Sequence, residues 1–595
     1  MKKYSLIVLL LGLFVFLSCS GGGGGGAAGG SASFNSNNEA PGMGGAPQGG
    51  GGAVTATGTS SGTHTTLTQP SVPASSSTIS INLTTQTATI PSSLASTVSV
   101  TSATETVNST STTIITVSST SSEVLTYSLS GTLSNGMFYV KNSSSPYVIE
   151  LNNANITSTV TPAMLLKKAA AYIKTNSGTT NTFADNRDFT NASANYGDYD
   201  QKGAIHTAKD LVLSGSGTLT VSNAKYKSGI YSKGLLSVIG GTINVTSVGK
   251  SCMGADNGFL MWNGTVNLSG NGTTTDDETK GIKVDGDESS DGAGLGYIVI
   301  NGGTINSTTQ SKGITAGWDI DEDATTSSTS DDPNPYVEIN GGTINITTLH
   351  APYENSTASC SPEGIEGKAG LTINGGTITL NCTDDAINAG GNITINGGAI
   401  YAYSSMNDAI DSNGSKGITI NGGVVVALGL TTPECAFDCD QNPLTINGGT
   451  LIGLGTSNYT APKSGKQSAF VLGSSSLGSA GTSFAVVDQS GKPVFVYTLP
   501  SKTGDIAILS SPDIKTGTSY SVKTGVTLSG GTKFHNLYTS LPEISGGTSS
   551  LTSISTSSSN TVYTDSSAGN TLGGQGGPGQ QEGPGGFGGG PGGRR

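Results

Sequence analysis

Charged side chains recur at fixed distances from an isoleucine that returns in the middle of the chain. The position two residues before this isoleucine holds, in order, Lys280, Lys312, Glu363, Asp385 and Asp408, and the position one residue after it holds Lys283, Thr315, Glu366, Asn388 and Asp411. Asp384 adds a carboxylate three positions before Ile387. Carboxylates stacked about 5 Å apart repel one another unless a cation lies between them.

Calcium is the cation that suits such a set, because Ca²⁺ accepts six to eight oxygen ligands in irregular geometry. The pattern therefore predicts a calcium site whose ligands are drawn from Glu363, Glu366, Asp384, Asp385, Asn388, Asp408 and Asp411. The alternative is that these Asp and Asn side chains only accept hydrogen bonds from backbone amides at corners, as in Asx turns.

A repeat explains why the charges recur. The string I-N-G-G returns with its asparagine at positions 301, 340, 374, 396, 421 and 447, and the last four are 22 to 26 residues apart. Each unit has two short alternating strands joined by Asn-Gly-Gly, and a third segment that carries the isoleucine. Three strands and three corners in one unit are typical of one turn of a solenoid. The chain is predicted to be all-β, a right-handed parallel β-helix with β-rich flanking segments; an antiparallel sandwich is the alternative.

Stacking fixes what each repeated position does. Equivalent residues of successive turns lie about 4.8 Å apart, so the isoleucines are predicted to form buried columns and the corner asparagines an amide ladder. Side chains that flank an inward isoleucine point outward. The charged columns are therefore expected on one exterior face.

Composition excludes several classes of protein. The chain has 90 glycines in 595 residues, 11% charged residues and a net charge of -13. Helix formers are scarce, which argues against helical bundles and Rossmann-type enzymes. An acidic protein has no general attraction for nucleic acid. An acidic sugar would also be repelled unless a cation mediated.

The N-terminus reads as an export signal. Lys2 and Lys3 precede an apolar run from Leu6 to Leu17 that is too short to span a bilayer as a mature helix. The run ends at Ser18-Cys19, which resembles the lipobox of bacterial lipoproteins and implies acylation of Cys19. We expect a protein anchored by lipid to the bacterial cell envelope or cell surface; a secreted soluble product is the alternative.

Composition shifts divide the rest of the chain. The predicted segments are a signal peptide with lipobox at 1–19, a flexible Gly/Ser/Thr/Pro linker at 20–75, a β-rich cap at 76–160, the β-helix at 161–460, a C-terminal β segment at 461–531 and a disordered tail at 532–595.

The cysteines offer a check on the register. Cys360 and Cys382 each stand five residues before an isoleucine of the repeat, Ile365 and Ile387. Stacking would bring the two cysteines within disulfide range, and export permits the bond. A Cys360–Cys382 disulfide is therefore predicted.

Several of these motifs together resemble a known family. The I-N-G-G-T-I repeats, the segment D-D-A-I-N at 384–388, the segment S-P-D-I-K-T-G-T-S-Y at 511–520, the lipobox and the Gly/Pro-rich tail are similar to bacterial carbohydrate-binding proteins of the cellulose- and pectate-binding β-helix type, whose fold resembles that of pectate lyases. The resemblance covers roughly residues 127–530. It implies calcium at Asp384, Asp385 and Asn388, and attachment to plant polysaccharides. Cys435 replaces the acid in the last turn, which argues against a site there.

Three functions remain open at this point. A binder would hold a polysaccharide, with a uronic-acid-rich polymer favoured over cellulose because acids are many and aromatics few. Its substrate-binding residues are predicted to be Lys280, Lys283, Lys312 and Trp318. A calcium-dependent lyase would need one of the lysines of this face as a deprotonated base. An adhesin or structural spacer would use the charges only as solvated surface.

Overall fold

The computed structural model describes residues 67–187, 201–223, 226–272, 279–286, 296–318, 335–354, 359–456 and 459–568. The predicted signal peptide, Cys19, most of the linker and the end of the tail lie outside these residues. Within them no helix is long and apolar enough to cross a membrane.

Parallel strands form three faces along most of the described chain, one strand of each face per turn, and the strands of faces 1 and 2 belong to one hydrogen-bonded sheet. The strands of face 1 are Ala171–Thr175, Leu211–Gly215, Leu235–Val238, Gly258–Met261, Tyr297–Ile300, Tyr336–Ile339, Gly370–Ile373, Asn392–Ile395, Ile418–Ile420, Leu444–Ile446 and Pro462–Lys463. The strands of face 2 are Thr180–Asp185, Thr218–Asn223, Thr242–Ser247, Thr265–Gly270, Thr304–Thr309, Thr343–Thr348, Thr377–Cys382, Ala399–Ser404, Val424–Gly429 and Thr450–Gly455.

Face 3 carries the charged columns. Its strands are Val98–Val107, Thr110–Ser119, Gly136–Asn142, Met164–Leu166, Gly203–Thr207, Ser228–Ser232, Ser251–Ala255, Lys280–Gly286, Ile314–Trp318, Ile365–Gly367, Ile387–Ala389 and Ile410–Ser412. The first two form an antiparallel hairpin, and the later pairs are parallel. The predicted all-β parallel β-helix is confirmed.

The N-terminal strands belong to the same ladders. Leu125–Ser134 pairs in parallel with Tyr147–Ser158, and the latter reaches across to strands of both face 1 and face 2. Ser77–Asn82 pairs in parallel with the first of these and antiparallel with Thr87–Thr89. A single 3-10 turn, Ser92–Leu94, precedes the face 3 hairpin. The parallel ladder thus begins within the segment predicted as a cap.

The interior confirms the predicted columns. Ile314, Ile365, Ile387 and Ile410 pair in register along face 3 and are fully buried. The corner asparagines form the predicted amide ladder, in which each Nδ2 donates to the Oδ1 one turn earlier at 2.7 to 2.9 Å from Asn447 back to Asn301. The second glycine of the corner has positive φ, as at Gly376 (95°), a conformation that glycine adopts without strain.

The C-terminal region packs a mainly antiparallel unit against the solenoid, with one parallel pair between Ala469–Gly473 and Val562–Thr564. Its strands are Ala469–Gly473, Ser483–Val487, Pro493–Thr498, Ile506–Ser510, Tyr520–Ser529, Thr532–Phe534, Leu537–Ser540, Glu543–Ile554 and Val562–Thr564, with a 3-10 turn at Ser474–Ser476. Phe470, Phe484 and Tyr497 form a second core with Val426 and Leu428 of face 2.

The start of the predicted disordered tail is ordered as strand instead. Residues 532–554 complete a six-stranded antiparallel sheet. Leu537 and Ile554 are buried in the second core, at 0% and 1% exposure. A few apolar anchors therefore hold an otherwise Ser/Thr-rich segment whose backbone pairs with Tyr520–Ser529.

The predicted disulfide is contradicted, because Cys360 and Cys382 are both buried thiols. Cys360 lies in a short antiparallel hairpin, Tyr353–Glu354 with Ser359–Cys360, that leaves the solenoid register. Cys382 ends a face 2 strand, and its Sγ is turned toward the backbone of Gly364, where an added Cβ would lie 2.7 Å from the sulfur. The insert therefore breaks the equivalence that the spacing suggested.

Candidate metal centre

The register brings the predicted charged columns together on face 3. Thr315 pairs with Glu366, Glu366 with Asn388, Asn388 with Asp411, and Asp411 with Asp438 through an isolated bridge. From the sequence pattern, these side chains were expected to be exposed to solvent. They are instead buried: the acids from Glu363 to Asp411 and the Asn388 amide are at most 7% exposed.

Two of the predicted calcium ligands are already neutralised by lysines. The Lys312 Nζ lies 2.7 Å from Glu363 Oε2 and 2.7 Å from Glu366 Oε1, and Lys368 Nζ lies 2.7 Å from the same Glu366 oxygen. Thr315 also donates to Glu366 Oε2 at 2.6 Å. Two ammonium groups thus meet two carboxylates. We therefore remove Glu363 and Glu366 from the set of metal ligands.

The pKa directions follow from these contacts. Burial alone would raise the pKa of Glu366, but Lys312 and Lys368 hold it below the ordinary glutamate value. The pKa of Glu363 is raised by burial and by the Glu366 charge beside it. Burial would lower the pKa of Lys312, but the two glutamates raise it, so this lysine stays protonated.

The aspartates of the next turns lack such partners. Asn388 Nδ2 donates to Asp385 Oδ2 at 2.9 Å and to Asp411 Oδ2 at 3.3 Å, so one amide joins the carboxylates of adjacent turns. The backbone N–H of Asp408 donates to Asp385 Oδ1 at 3.0 Å. In the part of the chain that the structure describes, no lysine or arginine nitrogen forms an ion pair with Asp385, Asp408 or Asp411.

Unpaired burial raises the pKa of all three aspartates well above the ordinary value. After burial, the charges of Asp384 and then Asp411 contribute most to the raised pKa of Asp385. For Asp408 and for Asp411, the largest contribution after burial is the charge of Asp438. Carboxylates that repel one another in a buried place fit a divalent cation, since its charge removes the repulsion and replaces lost hydration.

The final turn of the column also holds metal-ligating atoms. Ligand atoms of Asp408, Cys435 and Asp438 all lie within 4.8 Å of one another. Cys435 replaces an acid in this turn, so no site was expected here from the sequence. Asp438 directly follows the buried Phe437 and pairs with Asp411. It therefore supplies a carboxylate in the column one residue after the inward position. Asp438 could have been found from the sequence, because it directly follows Phe437, an aromatic residue at the inward position, and so falls in the same column as Asp411.

The remaining predicted residues are placed differently. Asp384 accepts from Asn407 Nδ2 at 2.7 Å and stays buried beside the cluster. Lys283 pairs with Asp285 at 2.5 Å, and Lys280 begins its strand half-buried. Lys312, predicted to contact substrate, instead forms ion pairs with Glu363 and Glu366. Trp318 ends its strand by backbone pairing with Gly286, and its side chain lies outside the described residues.

Comparison with known proteins gives a family. A model described as "Carbohydrate-binding domain-containing protein" matches residues 109–411, which is 303 of 595 residues. Among solved structures, the polysaccharide lyase-like protein from C. thermocellum, a gadolinium derivative, is similar with 20% identity and a TM-score of 0.33, covering 53% of this chain and 96% of that chain. Curated proteins gave no match.

Proposed function

The chain belongs to the family of carbohydrate-binding domain-containing proteins, and from that premise we propose that it binds an acidic polysaccharide through calcium held on face 3. The observation that carries this proposal is the cluster of buried aspartates Asp385, Asp408 and Asp411 with no ion-paired lysine or arginine in the described chain. The family match spans these three positions.

The residues fit the ion chemically. Asp384, Asp385, Asp408 and Asp411 supply carboxylate oxygens and Asn388 an amide oxygen, with Asp438 at the end of the column. Hard oxygen donors in this number suit calcium. When bound, the ion would supply a positive charge that attracts the carboxylate of a uronic acid. Asp384, Asp385, Asn388, Asp408 and Asp411 would hold that ion, and their burial limits the access of water to their oxygens.

The alternative of a lyase gains no support from the lysines beside this cluster. A base that removes a proton must be uncharged. Lys312 and Lys368 are held in ion pairs by Glu363 and Glu366, and the pKa of Lys312 is raised by those glutamates despite its burial. We therefore favour binding without catalysis.

A double substitution tests the proposal. Asp385→Asn with Asp408→Asn keeps side-chain size and removes two charges, so the protein should fold and lose both calcium and polygalacturonate binding. Titration calorimetry measures the calcium, and retention on immobilised polygalacturonate with and without chelator measures the sugar. The matched control is Asp505→Asn with Asp513→Asn, two exposed aspartates of the C-terminal unit. Unchanged calcium and sugar affinity in the folded double variant would show that the cluster is only buried structural charge.

We further propose that the protein is held at the bacterial cell surface by lipid on Cys19, with the linker as a tether. The support is the residue pattern at 1–26. Cys19→Ser should release the protein from the membrane fraction of expressing cells. Equal membrane retention of the variant would contradict the anchor.

A further inference from the structure

The outer surface of face 2 carries no charged side chain over seven consecutive strands. These strands, from Thr180–Asp185 to Thr377–Cys382, pair in parallel with unbroken register. The first, third and fifth residues of each strand point outward, and we call these 21 residues the neutral array. They are thirteen threonines, five asparagines, two serines and one alanine, all half-buried or exposed. Since 11% of the chain is charged, composition alone would place about two charges among 21 positions.

Strand preference alone does not explain the neutral array. Threonine favours strands but asparagine is depleted in them, and yet the third residue is asparagine in four consecutive strands, at 244, 267, 306 and 345. Their amides form a second ladder along the axis, with Nδ2 to Oδ1 distances of 2.8, 2.8 and 2.9 Å. On face 1 the outward residues of neighbouring turns are instead Leu260, Val299 and Glu338. The uncharged surface is therefore a property of face 2 and not of the strands in general.

The side chains of the neutral array are ordered before any partner binds. Threonine is branched at Cβ, which restricts rotation about χ1, and the amide ladder holds the asparagines in place. An amide has two N–H groups and the ladder uses one of them, so the second can donate to a facing surface. Side chains that are already ordered lose little entropy when an interface forms.

The composition of the neutral array indicates the kind of partner. Aromatic rings, which sugar-binding surfaces use for stacking, are missing from its 21 positions. Two copies of a chain with a net charge of -13 repel one another, so they approach most easily where neither surface carries charge. Uncharged strands that stack in register without proline pack well against a second sheet of the same kind. The array therefore suits a second copy of itself.

We propose that two copies of this chain associate face to face through the neutral array. The inference goes beyond the proposed function, because it concerns a different face from the one proposed to hold calcium. Seven turns at about 4.8 Å and six residues at about 3.3 Å give a surface of roughly 34 by 20 Å, or about 700 Å² on each copy. The two copies together then bury about 1,400 Å², which lies within the range of about 1,200–2,000 Å² for stable interfaces.

The pattern of the neutral array suits a two-fold axis. Threonine or serine stands on both sides of the middle column in five of the seven strands, so two facing copies place middle column against middle column. The C-terminal unit covers Val426 and Leu428 in the turns that follow the array, so the copies fit with their solenoid axes antiparallel. A two-fold axis uses the whole array of each copy. The assembly therefore stops at a dimer.

Two charges placed in the neutral array test the proposal. Thr308→Glu with Thr347→Glu changes two stacked outward residues of face 2 and leaves the asparagine ladder intact. The matched control is Thr394→Glu with Thr419→Glu, two stacked, half-buried threonines on the outside of face 1. The full chain carries Cys19→Ser in every sample, so that no lipid is attached. Light scattering and sedimentation equilibrium measure the molar mass over the micromolar range, and circular dichroism with urea unfolding checks the fold.

The native chain and the face 1 control should have twice the mass of one chain. The array variant should be folded and monomeric, with a dissociation constant raised at least roughly a hundredfold, because like charges are brought face to face. A monomeric native chain overturns the proposal, and so does a dimer of equal affinity in the array variant. A native monomer that binds an insoluble neutral polysaccharide, and loses this binding in the array variant, overturns it too and assigns the array to sugar. If the array variant unfolds, Thr308→Lys alone is measured, and an unchanged dimer in that folded variant overturns the proposal.

Discussion

Removal of the Lys312 side-chain charge is the most direct test of how face 3 balances its buried acids. Lys312→Met keeps the apolar stem and deletes the ammonium that lies 2.7 Å from both Glu363 and Glu366. Lys368 still reaches Glu366, but Glu363 loses its cation in the described structure. All three side chains of the Lys312 pairs are at most 8% exposed, so solvent screens them poorly.

The expected cost is about 3–5 kcal/mol in the free energy of unfolding, which is the cost of leaving a buried charge without its partner. The chain offers a matched control in Lys174, whose pair with Glu150 is 3.0 Å long but 44% and 23% exposed. Lys174→Met should therefore cost less than about 1 kcal/mol. Urea unfolding followed by circular dichroism measures both variants in the same buffer.

A second substitution identifies the cause. Adding Glu363→Gln to Lys312→Met removes the stranded carboxylate, so the double variant should recover part of the loss, with a coupling of about 0.5–3 kcal/mol. If Lys312→Met costs no more than Lys174→Met, or if the double variant is the sum of its two single losses, the buried ion pairs do not stabilise face 3 as argued.

Three further outcomes follow from the structure. In chelator, the raised pKa values of Asp385, Asp408 and Asp411 mean that the folded state binds more protons than the unfolded state, so the urea midpoint should fall as pH rises from weakly acidic toward neutral, and calcium should flatten this slope. The cysteines of the described chain are buried thiols, and burial raises the pKa of Cys252 to about 12, so a thiol reagent should label them only after denaturation; rapid labelling of the native protein would contradict this. Gly376→Ala should lower the unfolding free energy by more than about 1 kcal/mol, measured by urea unfolding, because φ is 95° and the new Cβ would lie 3.0 Å from a carbonyl oxygen of the preceding turn.

The periodicity of the sequence predicted which residues stack in register, but it did not predict how deeply they are buried. Aligning turns on the isoleucine placed Glu366, Asn388 and Asp411 in one column, as the backbone pairing has them. Alternation within a strand indicates whether a side chain points inward or outward, and on that basis these three side chains were expected to be exposed to solvent. Their burial depends on neighbouring segments that periodicity does not describe.

Face 3 meets one electrostatic problem in two ways within adjacent turns. Stacking places each side chain beside the side chain at the equivalent position of the next turn, because the backbone ladder alone fixes the spacing. Where both side chains carry the same charge, they repel each other. In the turn of Glu363 and Glu366 the compensating cations are side chains, Lys312 and Lys368, and the charges cancel within the protein. In the turns of Asp385 and Asp408 no such side chain forms an ion pair in the described chain, and for these turns we propose calcium as the compensating cation. On this proposal, adjacent turns keep the same backbone register and differ in the source of the cation.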